Sequence, residues 1–165
     1  MKPEIDPKLT AMLTVERDSF KRIFALWPRM WEWFRKTYPD FSSTWESTRL
    51  DVKNANKIPA TSGVYTLVLA PNILGHSGHF YIMYVGKSDN LRRRFMGYAR
   101  DKKGSNADVT TLLQKYFEYI QFTYSEAPLD SYLQLETNII TAVHAPLNKN
   151  GLEVNAIYAR TEPAF

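Results

Sequence analysis

The chain has 165 residues, 44% of them hydrophobic and 23% charged, so it is most economically one domain with enough length to bury a substantial core. It contains no cysteine, which excludes disulfides and thiolate zinc sites. It also lacks an apolar run of membrane-spanning length and a secretory leader pattern, so the default expectation is a cytoplasmic protein with no membrane partner. Net charge is only +4, yet Lys87, Arg92, Arg93, Arg94, Arg100, Lys102 and Lys103 crowd one short stretch against Asp89 and Asp101 alone, a local excess of five that suggests a phosphate backbone as partner.

Residues 1–12 are polar, carry Pro3 and Pro7, and read as a loosely held start. From Thr14 to Ala25 the apolar residues Phe20, Ile23 and Phe24 have helical spacing. Pro28 suits the first turn of a second helix, Arg29 to Tyr38, better than the interior of one long helix. The aromatic cluster Phe20, Phe24, Trp27, Trp31, Trp33 and Phe34 reads as a buried face or an interface ahead of a base-stacking platform, with Trp33 the best candidate for an exposed ring. Pro39 to Pro59 is polar and irregular, the pattern of a connector lying across the surface.

Two segments rich in Val, Leu, Ile and aromatic residues follow, Ser62–Ala70 and Phe80–Gly86, bounded by turn residues and read as paired strands. The loop between them, 71–79, is longer than a tight turn; its His76 and His79 make a poor metal pair without acidic or thiol neighbours. Lys87 to Tyr98 then reads as a helix with Ser88 or Asp89 as N-cap. On a wheel of 3.6 residues per turn, Leu91, Phe95 and Tyr98 form the packed stripe, Arg94 falls inside it, and Arg92 and Arg93 point to solvent. A guanidinium on a packed face is costly unless an anion meets it.

Asp108 to Tyr116 reads as a short helix with Leu112 and Leu113 inward, and Phe117 to Tyr124 alternates with period two as a third strand. The next helix, Leu129 to Val143, places Tyr132, Leu133, Ile139, Ile140 and Val143 on one face with Glu136 near its middle, and ends near His144 before Pro146. A carboxylate centred on an apolar stripe requires a cation, either a metal ion or an arginine. Asn148 follows in a loop, and Val154 to Tyr158 is a candidate short strand.

Gly63-Val-Tyr65, Tyr84-Val-Gly86, Arg94, Glu136 and Asn148, taken in order, resemble the signature of the GIY-YIG nuclease domain. The run Tyr84-Val-Gly-Lys87, Asn90-Leu91, Arg94 and Tyr98 is most similar to the N-terminal nuclease domain of the bacterial excision-repair incision protein. The resemblance covers about residues 60 to 150, and its only departures are the volume-close Val64 and Val85 where the motifs have Ile. It implies an α/β (α+β) fold with a small three-stranded antiparallel sheet flanked by helices. The chain then divides into an N-terminal helical extension and connector (1–59), a nuclease-like core (60–150) and a tail (151–165).

The same resemblance implies a metal-dependent DNA endonuclease. A single carboxylate points to one divalent ion, Mg²⁺ or Mn²⁺, on Glu136, and Arg94 would hold the scissile phosphate and stabilise its transition-state charge. One of Tyr65 and Tyr84 would serve as base, with Tyr65 favoured, Tyr84 orienting the water, and Lys87 and Arg94 as the cations that a phenolate needs. Tyr98 would contact phosphate and Asn148 would fix the loop after the Glu136 helix, while Arg92, Arg93, Arg100, Lys102 and Lys103 would bind duplex or branched DNA. Restriction or defence, repair and mobile-element roles all remain open, as does a homodimer joined through the tryptophan cluster. The alternative from another class is a nucleic-acid-binding or structural module that keeps the fold without turnover.

Overall fold

A computed structural model of the protein describes residues 28–39, 44–71, 78 and 80–148. The expected helix at 14–25 with Phe20 and Phe24, Trp27, the histidines 76 and 79, and the strand expected at 154–158 all lie outside these residues. Four helices are described: α1 (Pro28–Thr37), α2 (Leu91–Asp101), α3 (Ala107–Tyr116) and α4 (Tyr132–Val143). Four strands accompany them: β1 (Glu46–Arg49), β2 (Gly63–Leu69), β3 (Tyr81–Ser88) and β4 (Ile120–Glu126). None of the described helices is long and apolar enough to cross a membrane.

The strands form one antiparallel sheet in the order β1-β4-β2-β3. The expected three strands are present, and β1 adds a fourth at the edge beside β4, with Glu46 opposite Tyr124 and Arg49 opposite Gln121. The expectation of a plain connector over 39–59 is therefore corrected: this segment supplies a strand, a 3-10 turn (Val52–Lys57), and two core residues, Leu50 and Ile58. A strand reading Glu-Ser-Thr-Arg has no apolar alternation because neither face of this edge is deeply buried. The strand expected from Phe117 begins instead at Ile120, since Phe117–Tyr119 closes a 3-10 turn.

β2 is the central strand, and its residues from Gly63 to Val68 are all buried, as suits a strand covered on both faces. One face packs on α2 and α3 through Tyr65, Leu67, Phe122, Leu91, Phe95, Leu112 and Leu113. The other packs on α1 and α4 through Val64, Val85, Phe34, Leu135 and Ile139. Full burial of each such side chain contributes about 1.5–3 kcal/mol. Phe34, with Trp31 stacked on it at 5.8 Å, is thus part of the chain's own core, and Trp33, 46% exposed, is the ring left at the surface.

α2 is anchored at its start. The N–H groups of Leu91 and Arg92 donate to the carbonyls of Thr61 and Pro59, and Asn90 Oδ1 caps the N–H of Arg93 at 2.8 Å. Asn90 is therefore the N-cap in place of the expected Ser88 or Asp89; the Ser88 hydroxyl instead ties the turn to Asn90. In α4 the buried line is Leu135, Asn138, Ile139 and Ala142, and Leu133 stands 56% exposed. The packed stripe is thus rotated from the expected one, because α4 sits between the sheet and α1 rather than on the sheet alone.

Candidate active site

The two short motifs lie side by side. Gly63-Val-Tyr65 opens β2, Tyr84-Val-Gly86 runs along β3, and the register sets Tyr65 opposite Gly86 and Gly63 opposite Ser88. A Cβ on Gly86 would come within 2.5 Å of the Tyr65 hydroxyl and 2.8 Å of the Tyr84 ring, so only a bare backbone there lets the two phenols converge. Their ring centroids are 6.3 Å apart. The register slips between Leu67 and Val68, leaving Met83 as the extra residue in β3. Met83 and Tyr84 consequently pack in the same core as Tyr65, a re-aiming that β-bulges commonly perform.

Tyr65 is 1% exposed, stacks on Phe122 at 4.9 Å and shares a hydrogen bond of 2.7 Å with the Tyr98 hydroxyl. Burial pushes its phenol well above the ordinary range, and the neighbouring Tyr98 and Tyr84 reinforce this. The opposing pull of Arg94 is the smallest contribution, and Lys87, the other expected cation, is spent elsewhere, as described below. Tyr98 is also buried, and burial raises its phenol too. Its hydroxyl bonds to that of Tyr65, and its side chain borders the cleft beside Arg94. Tyr84 is only half-buried and accepts a hydrogen bond from Ser105 Oγ at 3.0 Å. No sequence signal marks Ser105, because its contact depends on how the loop after α2 folds back.

Arg94 does not lie on the packed face. The buried line of α2 is Leu91, Phe95, Tyr98 and Ala99, and Arg94 stands exposed at its flank, its guanidinium carbon 6.0 Å from the centre of the Tyr98 ring. It borders an open cleft of about 300 Å³ together with Arg93, Gly97, Tyr98, Asp101, Lys103 and Gly104. Several expected phosphate-binding cations already have partners. Arg92 Nε donates to the Ile58 carbonyl at 2.7 Å, and Arg93 pairs with Asp89, holding that carboxyl below its usual range. Lys102 lies over the Phe117 ring at 4.5 Å, while Arg100 and Lys103 are exposed.

Glu136 meets Lys87 rather than Arg94, with Nζ–Oε2 at 2.5 Å and the carboxylate side chain 14% exposed. Lys87 follows Gly86 on the outer strand β3, so this pair sits at the sheet edge under α4, whereas Arg94 rides on α2, which packs on the opposite face. Among the described residues Arg94 and Glu136 make no ion pair with each other. Asn148 Oδ1 accepts from the Val85 N–H at 2.8 Å and its Nδ2 donates to the Val85 carbonyl at 2.7 Å. The Leu147 N–H donates to the Met83 carbonyl, and Asn106 Nδ2 to that of Leu147. These bonds stitch the segment after α4, and the loop before α3, to β3.

No group of three or more His, Cys, Asp or Glu side chains that could cage a metal ion is present among the described residues. One half-buried carboxylate beside an open edge fits a hard divalent ion such as Mg²⁺, which keeps most of its waters and takes one or two protein oxygens. It does not fit a closed structural site.

The family model of the UvrC-like GIY-YIG domain matches residues 62–149, more than half of the chain. The UvrABC system protein C of Methanosphaera stadtmanae is 25% identical over 91 residues, which are 55% of this chain and 14% of that protein. The chain thus corresponds to a small part of that relative's length. No solved structure matches.

Proposed function

Because the chain belongs to the UvrC-like GIY-YIG domain family, a family of nuclease type, we propose that it is an endonuclease that hydrolyses DNA phosphodiester bonds at the β3 edge. One observation carries this reading: β3 bears both the motif phenol Tyr84 and Lys87, which pairs with Glu136 of α4, and it leads into α2, whose Arg94 borders the basic cleft. The substrate phosphate lies toward Arg94, whose planar fork binds two phosphate oxygens and stabilises the charge of the pentavalent transition state. Water attacks the phosphorus in line and the bond to the leaving oxygen breaks.

Tyr84 serves as the base that takes the proton of the attacking water. It is favoured over Tyr65 because it is half-buried and reaches the loop surface, while Tyr65 is sealed in the core against Tyr98 and Phe122. Tyr65 and Tyr98 then form a rigid floor that fixes Tyr84 and Arg94. Glu136 would hold the divalent ion, Mg²⁺ or Mn²⁺, which when bound supplies Lewis-acid stabilisation of the phosphate and of the leaving oxygen. Lys87 is the group that neutralises Glu136 in the ion's place. Lys103 and Arg100, with no partner described for their charges, are the strongest candidates for backbone contacts beyond the scissile phosphate. Repair, restriction or defence, and mobile-element roles are all compatible with this chemistry.

The occupied Glu136 carboxylate favours a second reading, a nucleic-acid-binding module without turnover. Incubation with duplex, flap, bubble and branched DNA, and with RNA, in Mg²⁺ or Mn²⁺ separates the two. Cleavage by the wild type, lost by about 10²-fold or more in Glu136→Gln with binding retained, and in Arg94→Ala, supports the endonuclease. Salt-dependent binding with no metal-dependent cutting of any substrate supports the module. Robust cutting by Glu136→Gln removes the assignment of the metal ligand.

A further inference from the structure

Gly97 stands in the interior of α2, where glycine is less favourable than alanine because it gives up more backbone freedom on folding. The fold does not call for it. At Gly63, Gly86 and Gly104 an added Cβ would collide with neighbouring atoms, but at Gly97 it would meet nothing within 4 Å, in ordinary helical backbone. The open space above it is the floor of the cleft bordered by Arg93, Arg94 and Lys103. A bare position that costs helix stability, and that no protein atom fills, has its reason outside the chain.

We propose that Gly97 is the place where a sugar–phosphate backbone crosses α2 in close approach, the sugar against the bare helix and the flanking phosphates toward Arg94 and Lys103. This assignment rests on the endonuclease reading and adds a specificity-determining residue to it. The alternation of cation, uncharged floor and cation matches a polyanion whose phosphates are spaced by neutral sugars. A single free phosphate would be met by clustered donors, whereas Asp101 at the rim of the same cleft opposes any anion and leaves Arg94 and Lys103 to hold the phosphates.

The test measures Tm together with binding of a fluorescein-labelled duplex and flap by anisotropy, in a Glu136→Gln background so that the probe stays uncut. Gly97→Ala is expected to raise Tm by about 3 °C. It is also expected to weaken binding about tenfold, the scale of one charge-assisted hydrogen bond lost, and Gly97→Leu to weaken it further. In parallel, Lys103→Ala should lower the slope of log affinity against log salt by about one. Unchanged affinity in both Gly97 variants, with Lys103→Ala still weakened, overturns the role of Gly97 and leaves the endonuclease reading standing. A fall in Tm accompanying weaker binding assigns the glycine to folding and overturns it equally. If Lys103→Ala and both Gly97 variants all bind as the parent does, the cleft does not carry the backbone, and the placement of substrate falls with it.

Discussion

Tyr65 and Tyr84 come from near-identical three-residue motifs, yet the sheet gives them different surroundings. Tyr65 sits on the central strand with helices on both faces, and Tyr84 on the outer strand beside a loop. The difference is one of solvation. A buried phenol is held in its neutral form, whereas a base in phosphodiester hydrolysis has to carry charge. Tyr65→Phe should therefore lower stability by about 1–2 kcal/mol, by leaving the Tyr98 hydroxyl without its partner. Cleavage should stay within about tenfold of wild type, while Tyr84→Phe loses about 10²-fold or more, as expected for removal of a general base. Single-turnover kinetics with both variants checks this, and a collapse of activity in Tyr65→Phe would return the role of base to that residue. The motif tyrosines were legible in the sequence; their different burial was not, because the same residue types follow the same spacing in both strands. The packed-side position of Arg94 was misread for a related reason. A helical wheel locates a stripe but not its edges, and Arg94 falls just outside the line that the sheet covers.

At the scale of elements, the outer edge of β3 is closed by a side chain in place of a strand. The amide of Asn148 satisfies both the N–H and the carbonyl of Val85, which also blunts an edge that would otherwise invite pairing with another chain. The same contact fixes the segment leaving α4, and with it the helix that carries Glu136, to the strand that carries Tyr84 and Lys87. Asn148→Ala should leave two buried backbone groups unpaired, at a cost of about 2–4 kcal/mol. Urea unfolding should show the midpoint falling with the slope unchanged, and a loss below about 0.5 kcal/mol would remove this role. Asn148 was recognisable from its place in the motif, but its partner lies 63 residues away and could not be read from local pattern. β1 escaped for another reason. Its polar residues pair on one side only, so no periodic burial marks them.

Across the whole molecule, burial holds the phenols of Tyr65, Tyr98 and Tyr124 above their ordinary value of about 10, with the Glu46 carboxylate adding to the effect at Tyr124. Below about pH 10 these tyrosines are protonated in both folded and unfolded chains, so they impose no pH dependence there. Above it the unfolded chain releases protons first and stability falls. The urea midpoint should accordingly be level in this respect up to about pH 9 and drop steeply by about pH 11. Phenolate absorbance should rise for these residues only as the chain unfolds. A midpoint unchanged at about pH 11 would contradict the buried placement of these phenols.

The sequence by itself determined the family, the four helices and three of the four strands within the described residues, and the motif residues Tyr65, Tyr84, Arg94, Glu136 and Asn148 as candidates. Strong hydrophobic periodicity, capping residues and two short motifs are local properties, and a chain displays them before it folds. The tertiary structure alone decided that Glu136 meets Lys87, that Tyr98 is bound to Tyr65, that Ser105 reaches Tyr84, and that Gly97 lies bare on a cationic cleft. Each of those facts depends on which face of a helix the sheet covers and on strand register, and both are fixed by contacts between residues far apart in the chain.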